Sequence, residues 1–150
     1  MYYSALLNGG DVLIPQTSLG AEKKVWKGKV TSQDNINYIN LALEQAVNVV
    51  HPNARRSFAR SAGKTGTAEV GADGSVNLGW FCGFDLNNPY LCTCIMINYV
   101  ENRGGSDVNT GKFGKMLDEL YVNGQKYVPS GVVLPQENAE NNANATQAKG

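Results

Sequence analysis

The chain has 150 residues, enough for one ordinary domain with a sizeable core. Its 13 Lys plus Arg cancel its 13 Asp plus Glu. That balance argues against a nucleic-acid binder driven by phosphate neutralisation. No apolar run approaches the ~20 residues of a membrane span, and the first residues lack a secretory signal pattern.

Residues 1–8 (MYYSALLN) read as the end of a helix, stopped by Gly9-Gly10 in a C-terminal capping position. Residues 11–30 read as short extended pieces and turns. Lys23, Lys24, Lys27 and Lys29 crowd this stretch as a solvated face. Thr31 or Ser32 can cap the next helix. Ile36, Ile39, Leu43, Val47 and Val50 then recur at helical spacing as one apolar stripe, up to about His51-Pro52. Residues 53–62 read as a polar, basic loop.

From Lys64 the period changes to two. Residues 64–70 alternate as a strand, and 71–74 (GADG) signal a turn. Residues 78–85 form a second strand, with Leu78, Trp80, Cys82 and Phe84 on one face. Asn87-Asn88-Pro89 make the next turn. A third strand runs from Tyr90 to about Val100. It is apolar on both faces, which predicts a central place in its sheet. The three strands make an antiparallel meander in which 64–70 pairs on one side only, with 78–85. Ser106 or Asp107 can cap a last helix, with Phe113, Met116, Leu117, Leu120 and Tyr121 as its stripe. The expected class is α/β, an antiparallel sheet with flanking helices. Residues 1–128 are expected to form the folded part and 129–150 an extended, disordered tail.

The three cysteines, Cys82, Cys92 and Cys94, are odd in number and close no disulfide framework. Cys92 and Cys94 lie two apart, on one face of a strand. A zinc site would need two more ligands at metal spacing, and the one histidine, His51, is far away in sequence. All three are expected to be small buried hydrophobes, with no metal and no cofactor.

The stretch from Gly63 to Glu69 (GKTGTAE) carries the chemistry. A phosphate loop would need a glycine at position 58, which is Phe58, and a helix after the motif. The alternative is the Lys-Thr-Gly strand of the penicillin-recognising serine acyltransferases. The surrounding residues agree with it. Residues 4–10 (SALLNGG) resemble that family's helix end. GKTGTAE resembles the form common in class B members, and residues 80–84 (WFCGF) resemble the family's next strand. The chain is therefore similar, over about 1–122, to the C-terminal part of a penicillin-binding protein transpeptidase domain. That places it in the serine β-lactamase/transpeptidase superfamily, with class B favoured. Residues 127–133 (YVPSGVV) are closer to class A.

The resemblance implies a peptidoglycan D,D-transpeptidase acting at the extracytoplasmic face of the bacterial cytoplasmic membrane. Its ligands would be a D-Ala-D-Ala stem peptide and β-lactams. It implies that Lys64 and Thr65 meet the ligand carboxylate, and that Gly66 leaves room for the substrate backbone. The backbone N–H of Thr67 would serve the oxyanion hole. Glu69 gains no catalytic role. Two further patterns, Ser61-x-x-Lys64 and Ser75-Val76-Asn77, are decoys. A strand does not bring residues three apart to one face, and Ser75 follows the Lys-Thr-Gly strand instead of preceding it. The nucleophilic Ser-x-x-Lys is then expected upstream of Met1, in the remainder of the domain, and the chain alone is expected to be inactive. The competing readings are a class D β-lactamase or β-lactam sensor domain, and a non-catalytic scaffold module of the same fold.

Overall fold

The computed structural model describes residues 1–18, 20–70, 75–100 and 103–121. The expected turn at 71–74, the class A-like 127–133 and the tail at 129–150 lie outside these residues.

Helix α1 (Tyr2–Ala5) is one turn long. Gly9 and Gly10 both take positive φ, and Gly10 N–H donates to Ala5 O at 2.9 Å, closing the helix end. Strands β1 (Val12–Leu13) and β2 (Val25–Lys27) form a small antiparallel ladder. Helix α2 (Gln33–Gln45) begins at Ser32, whose hydroxyl accepts from Asn35 N–H, and carries Asp34 in its first turn. It runs into a π-helical turn (Ala46–Val50) and a 3-10 turn opened by Pro52 (Pro52–Ala54).

The predicted stripe of α2 is only partly buried. Ile36 and Val47 are buried and Leu43 is half-buried, whereas Ile39 is 42% and Val50 64% exposed. At ~100° per residue, Ile36, Leu43 and Val47 fall within about 20° of one line, and Ile39 lies about 60° off it. The π turn then rotates Val50 away from the seam.

Strands β3 (Ser61–Val70), β4 (Val76–Asp85) and β5 (Asn88–Asn98) form an antiparallel sheet in the order β3-β4-β5. Lys64 pairs with Cys82 and Gly66 with Trp80. β3 starts three residues earlier than the alternation predicts, because Gly63 and Ala62 continue the ladder opposite Gly83 and Phe84. Among the described residues it pairs on one side only, as expected. The expected central place of the third strand is corrected. Among the described residues β4 is central and β5 is an edge. The apolarity of β5 belongs to its two faces, not its edges. Leu91 and Ile95 pack on the core, while Met96, Cys92 and Cys94 are exposed on the other face.

A 3-10 turn (Gly105–Asp107) leads into helix α3 (Val108–Leu120). α3 lies across the odd-numbered face of the sheet. Phe81, Leu91, Phe113, Leu117 and Tyr121 join Val47 and Ala54 in one buried cluster, with Met116 and Leu120 packed against it. The Phe81 and Phe113 rings meet at 5.3 Å and 57°. Each such ring contributes roughly 1.5–3 kcal/mol of burial. The architecture is α/β, as expected.

The cysteines depart from expectation. Cys82 is half-buried, and Cys92 and Cys94 are exposed. They lie on the even-numbered face, where Tyr3 of α1 meets the Phe84 ring. Cys82 and Cys94 are cross-strand partners with sulfurs 3.0 Å apart. Burial, and then the hydrogen bond to Cys94, push the Cys82 thiol up to about 12. At pH 8 that leaves a thiolate fraction of ~10⁻⁴. Cys82 is therefore expected to be the slowest of the three to alkylate. Peptide mapping after a timed iodoacetamide pulse checks this, and an early Cys82 adduct would contradict it.

Candidate active-site wall

Among the described residues β3 has one unpaired edge, and its alternation sorts the motif by direction. Leu86 N–H donates to Arg60 O at 3.0 Å, just ahead of the ladder. Even-numbered β3 residues thus face β4 with their backbone groups, and the N–H and C=O of Thr65 and Thr67 turn to the open edge. Lys64 is exposed, and its ammonium donates to Thr65 O at 2.8 Å. The Lys64 charge therefore sits along that same edge. Thr65 is half-buried, and Gly66, Thr67 and Glu69 are exposed.

The two motif glycines differ in what they face. A Cβ on Gly63 would lie 2.5 Å from Phe81 Cζ and 2.7 Å from Cys82 O, so that glycine is required by packing within the sheet. A Cβ on Gly66 would meet only Trp80 Cβ, at 3.8 Å. Nothing among the described residues demands a glycine at 66, which leaves room for a chain to approach there.

Ser61 and Lys64 lie on opposite faces of β3. Ser61 is buried and its hydroxyl oxygen has no hydrogen-bond partner among the described residues. The two residues form no nucleophile–base pair here. Ser75 lies between β3 and β4, after the motif.

One contact escaped the sequence reading. His51 Nδ1 lies 2.8 Å from Asp107 Oδ1, and His51 Nε2 lies 3.4 Å from Thr65 Oγ1. The Thr110 hydroxyl donates to the Asp107 main-chain oxygen at 2.6 Å and lies 3.1 Å from Asp107 Oδ1. The π turn after α2 delivers the imidazole and the turn before α3 delivers the carboxylate. These residues are 14 and 56 positions apart, and no local pattern links them.

Among the described residues no three His, Cys, Asp or Glu side chains gather as metal ligands, and no helix is long and apolar enough to cross a membrane. A cavity of about 320 Å³ lined by Met1, Ser4, Leu13 and Ile14 includes none of residues 64–67.

Known proteins resemble this chain in sequence and in fold. Penicillin-binding protein 3 of Bacillus subtilis (strain 168) is 34% identical over 116 residues, covering 69% of this chain and 17% of that protein. The apo TP domain of Burkholderia pseudomallei penicillin-binding protein 3 shares the fold with a TM-score of 0.64 at 20% identity. That match covers 87% of this chain and 42% of that domain. The chain thus spans less than half of either relative. Residues 1–118 match the family model of the penicillin binding protein transpeptidase domain, and the chain belongs to that family.

Proposed function

We propose that the chain forms the Lys-Thr-Gly wall of a class B-like D,D-transpeptidase. The complete enzyme would work on the extracytoplasmic face of the bacterial cytoplasmic membrane, where peptidoglycan is cross-linked. A serine hydroxyl from the remainder of the domain would attack the carbonyl between the two D-alanines. Its proton would pass to a base, the terminal D-alanine would leave, and an acyl-enzyme would remain. The amine of a neighbouring stem peptide would then take the acyl group and release the serine. A β-lactam would acylate the same serine by ring opening.

The observation that carries this reading is the open edge of β3, with Lys64 on the Thr65 carbonyl and the Thr67 N–H free to point outward. An extended peptide can add to such an edge. Lys64 and the Thr65 hydroxyl would meet its C-terminal carboxylate, and Gly66 would let its backbone approach. The Thr67 N–H would donate to the oxyanion of the tetrahedral intermediate. Glu69 lies farther along the strand and takes no part. Fluorescent-penicillin labelling of the complete domain tests the reading. A labelled serine within a Ser-x-x-Lys supports it, and a complete domain that takes no label contradicts it.

The chain by itself is expected to take no adduct at Ser61. That hydroxyl is buried, and the Lys64 ammonium lies across the sheet from it. Intact-mass spectrometry after penicillin treatment checks this. A stoichiometric adduct mapped to Ser61 would mean that the strand itself carries a nucleophile.

A further inference from the structure

We propose that His51, held by Asp107, is a positioning residue for the Thr65 hydroxyl and thereby sets the wall's preference for carboxylate-bearing ligands. The inference rests on the reading of β3 as the ligand-binding wall. An ionised carboxylate only accepts hydrogen bonds, so the 2.8 Å contact with Asp107 Oδ1 puts a hydrogen on His51 Nδ1. The other ring nitrogen faces Thr65 Oγ1 at 3.4 Å. Two arrangements follow. In the neutral ring Nε2 is an acceptor, and the Thr65 hydroxyl turns its hydrogen inward to it. In the imidazolium Nε2–H donates to Oγ1, and the hydroxyl hydrogen is free to point toward the open edge.

A ligand carboxylate offers only lone pairs. It can take the Thr65 hydroxyl hydrogen without breaking the contact with the ring only in the second arrangement, so its binding favours that arrangement. A ligand ester lacks the charge and gains far less from the switch. Among the described residues Asp107 is the charged group in contact with the ring. The charges on the surrounding elements are otherwise engaged or exposed. Lys64 of β3 donates to Thr65 O, Arg56 is held by Asp118 of α3, and Arg60 is held by Glu44 of α2. Lys112 and Lys115 of α3, Arg55 and Arg103 are exposed. Among the described residues His51 is therefore the ionisable side chain in contact with the Thr65 hydroxyl.

The test uses the complete transpeptidase domain that carries this segment. Second-order acylation rates are measured for benzylpenicillin and its methyl ester between about pH 5 and 8. The acid-to-ester preference of the wild type is expected to fall about 10-fold across that range. His51→Gln keeps a polar side chain that does not titrate, and its preference is expected to be flat with pH. Thr65→Val, close in shape, is expected to be flat as well, even though His51 remains. A flat wild-type profile overturns the proposal, as does a wild-type profile retained in either variant. If the wild type is acylated by neither compound, the reading of the wall itself has failed. If it is acylated but the profiles coincide, only the role of His51 has failed.

Discussion

Replacing Lys64 with alanine is expected to slow penicillin acylation of the complete domain by about 10- to 150-fold, whereas Lys112→Ala stays within about twofold of wild type. Both are exposed lysines on regular elements, so composition does not separate them. Geometry does. Lys64 departs from the even-numbered face of β3 but bends to the edge, where its ammonium rests on the outward Thr65 carbonyl at 2.8 Å. A ligand carboxylate arriving along that edge can take the ammonium from a neutral acceptor and pair with it as an ion. Water excluded by the bound ligand would strengthen that pair. Lys112 lies on α3 beside buried Phe113, with its charge in solvent. Acylation rates for the two variants, measured side by side, check this. Equal rates would mean that Lys64 does not act on the bound ligand.

The elements that can be read from local chemistry are the ones the sequence predicts well. Ser32 caps α2, Gly9-Gly10 close α1, and period-two alternation with turn residues marks the strands. What alternation cannot report is neighbours. The run from Tyr90 to Val100 is apolar on both faces, and that pattern is the same for a central strand and for an edge strand with one uncovered face. The cysteines failed for the same reason. Their apolar setting indicates a strand face, but only the reach of α1 decides which part of that face is covered. The exposed Ile39 and Val50 likewise depend on a narrow seam and a π turn, neither visible at helical spacing. At the wall, Lys64 to Thr67 stand out because one short motif holds them. His51 and Asp107 did not, since a contact between residues 56 apart is made by the fold, not by spacing.

The largest stability effect is expected at the far end of the same strand pair. Asp85 is fully buried where β4 turns into β5. Its Oδ1 accepts from Arg60 N–H at 3.0 Å and Asn87 N–H at 2.9 Å, and its Oδ2 from the Tyr121 hydroxyl at 2.6 Å. Asn88 donates to the same hydroxyl oxygen at 3.2 Å. One carboxylate thus ties the start of β3, the β4–β5 turn and the end of α3. Asp85→Ala strands three donors at once. At ~1–3 kcal/mol each, acting as one unit and so not fully additive, the loss is expected to be about 3–5 kcal/mol. Tyr121→Phe removes one of the three donors to Asp85 and the acceptor of Asn88, and should cost about 1–3 kcal/mol. The tyrosine also carries a pH signature. Burial first, and then the hydrogen bond to Asp85, raise the Tyr121 hydroxyl above its ordinary value. A raised folded value means that the unfolded chain ionises first. The contribution is therefore complete below about pH 10 and is lost as pH climbs from there toward the folded value. Urea denaturation at neutral pH and above pH 10 reads both effects. The wild type should lose more stability than Tyr121→Phe on going alkaline. An Asp85→Ala chain as stable as the wild type would show that β3 is held in place by packing alone.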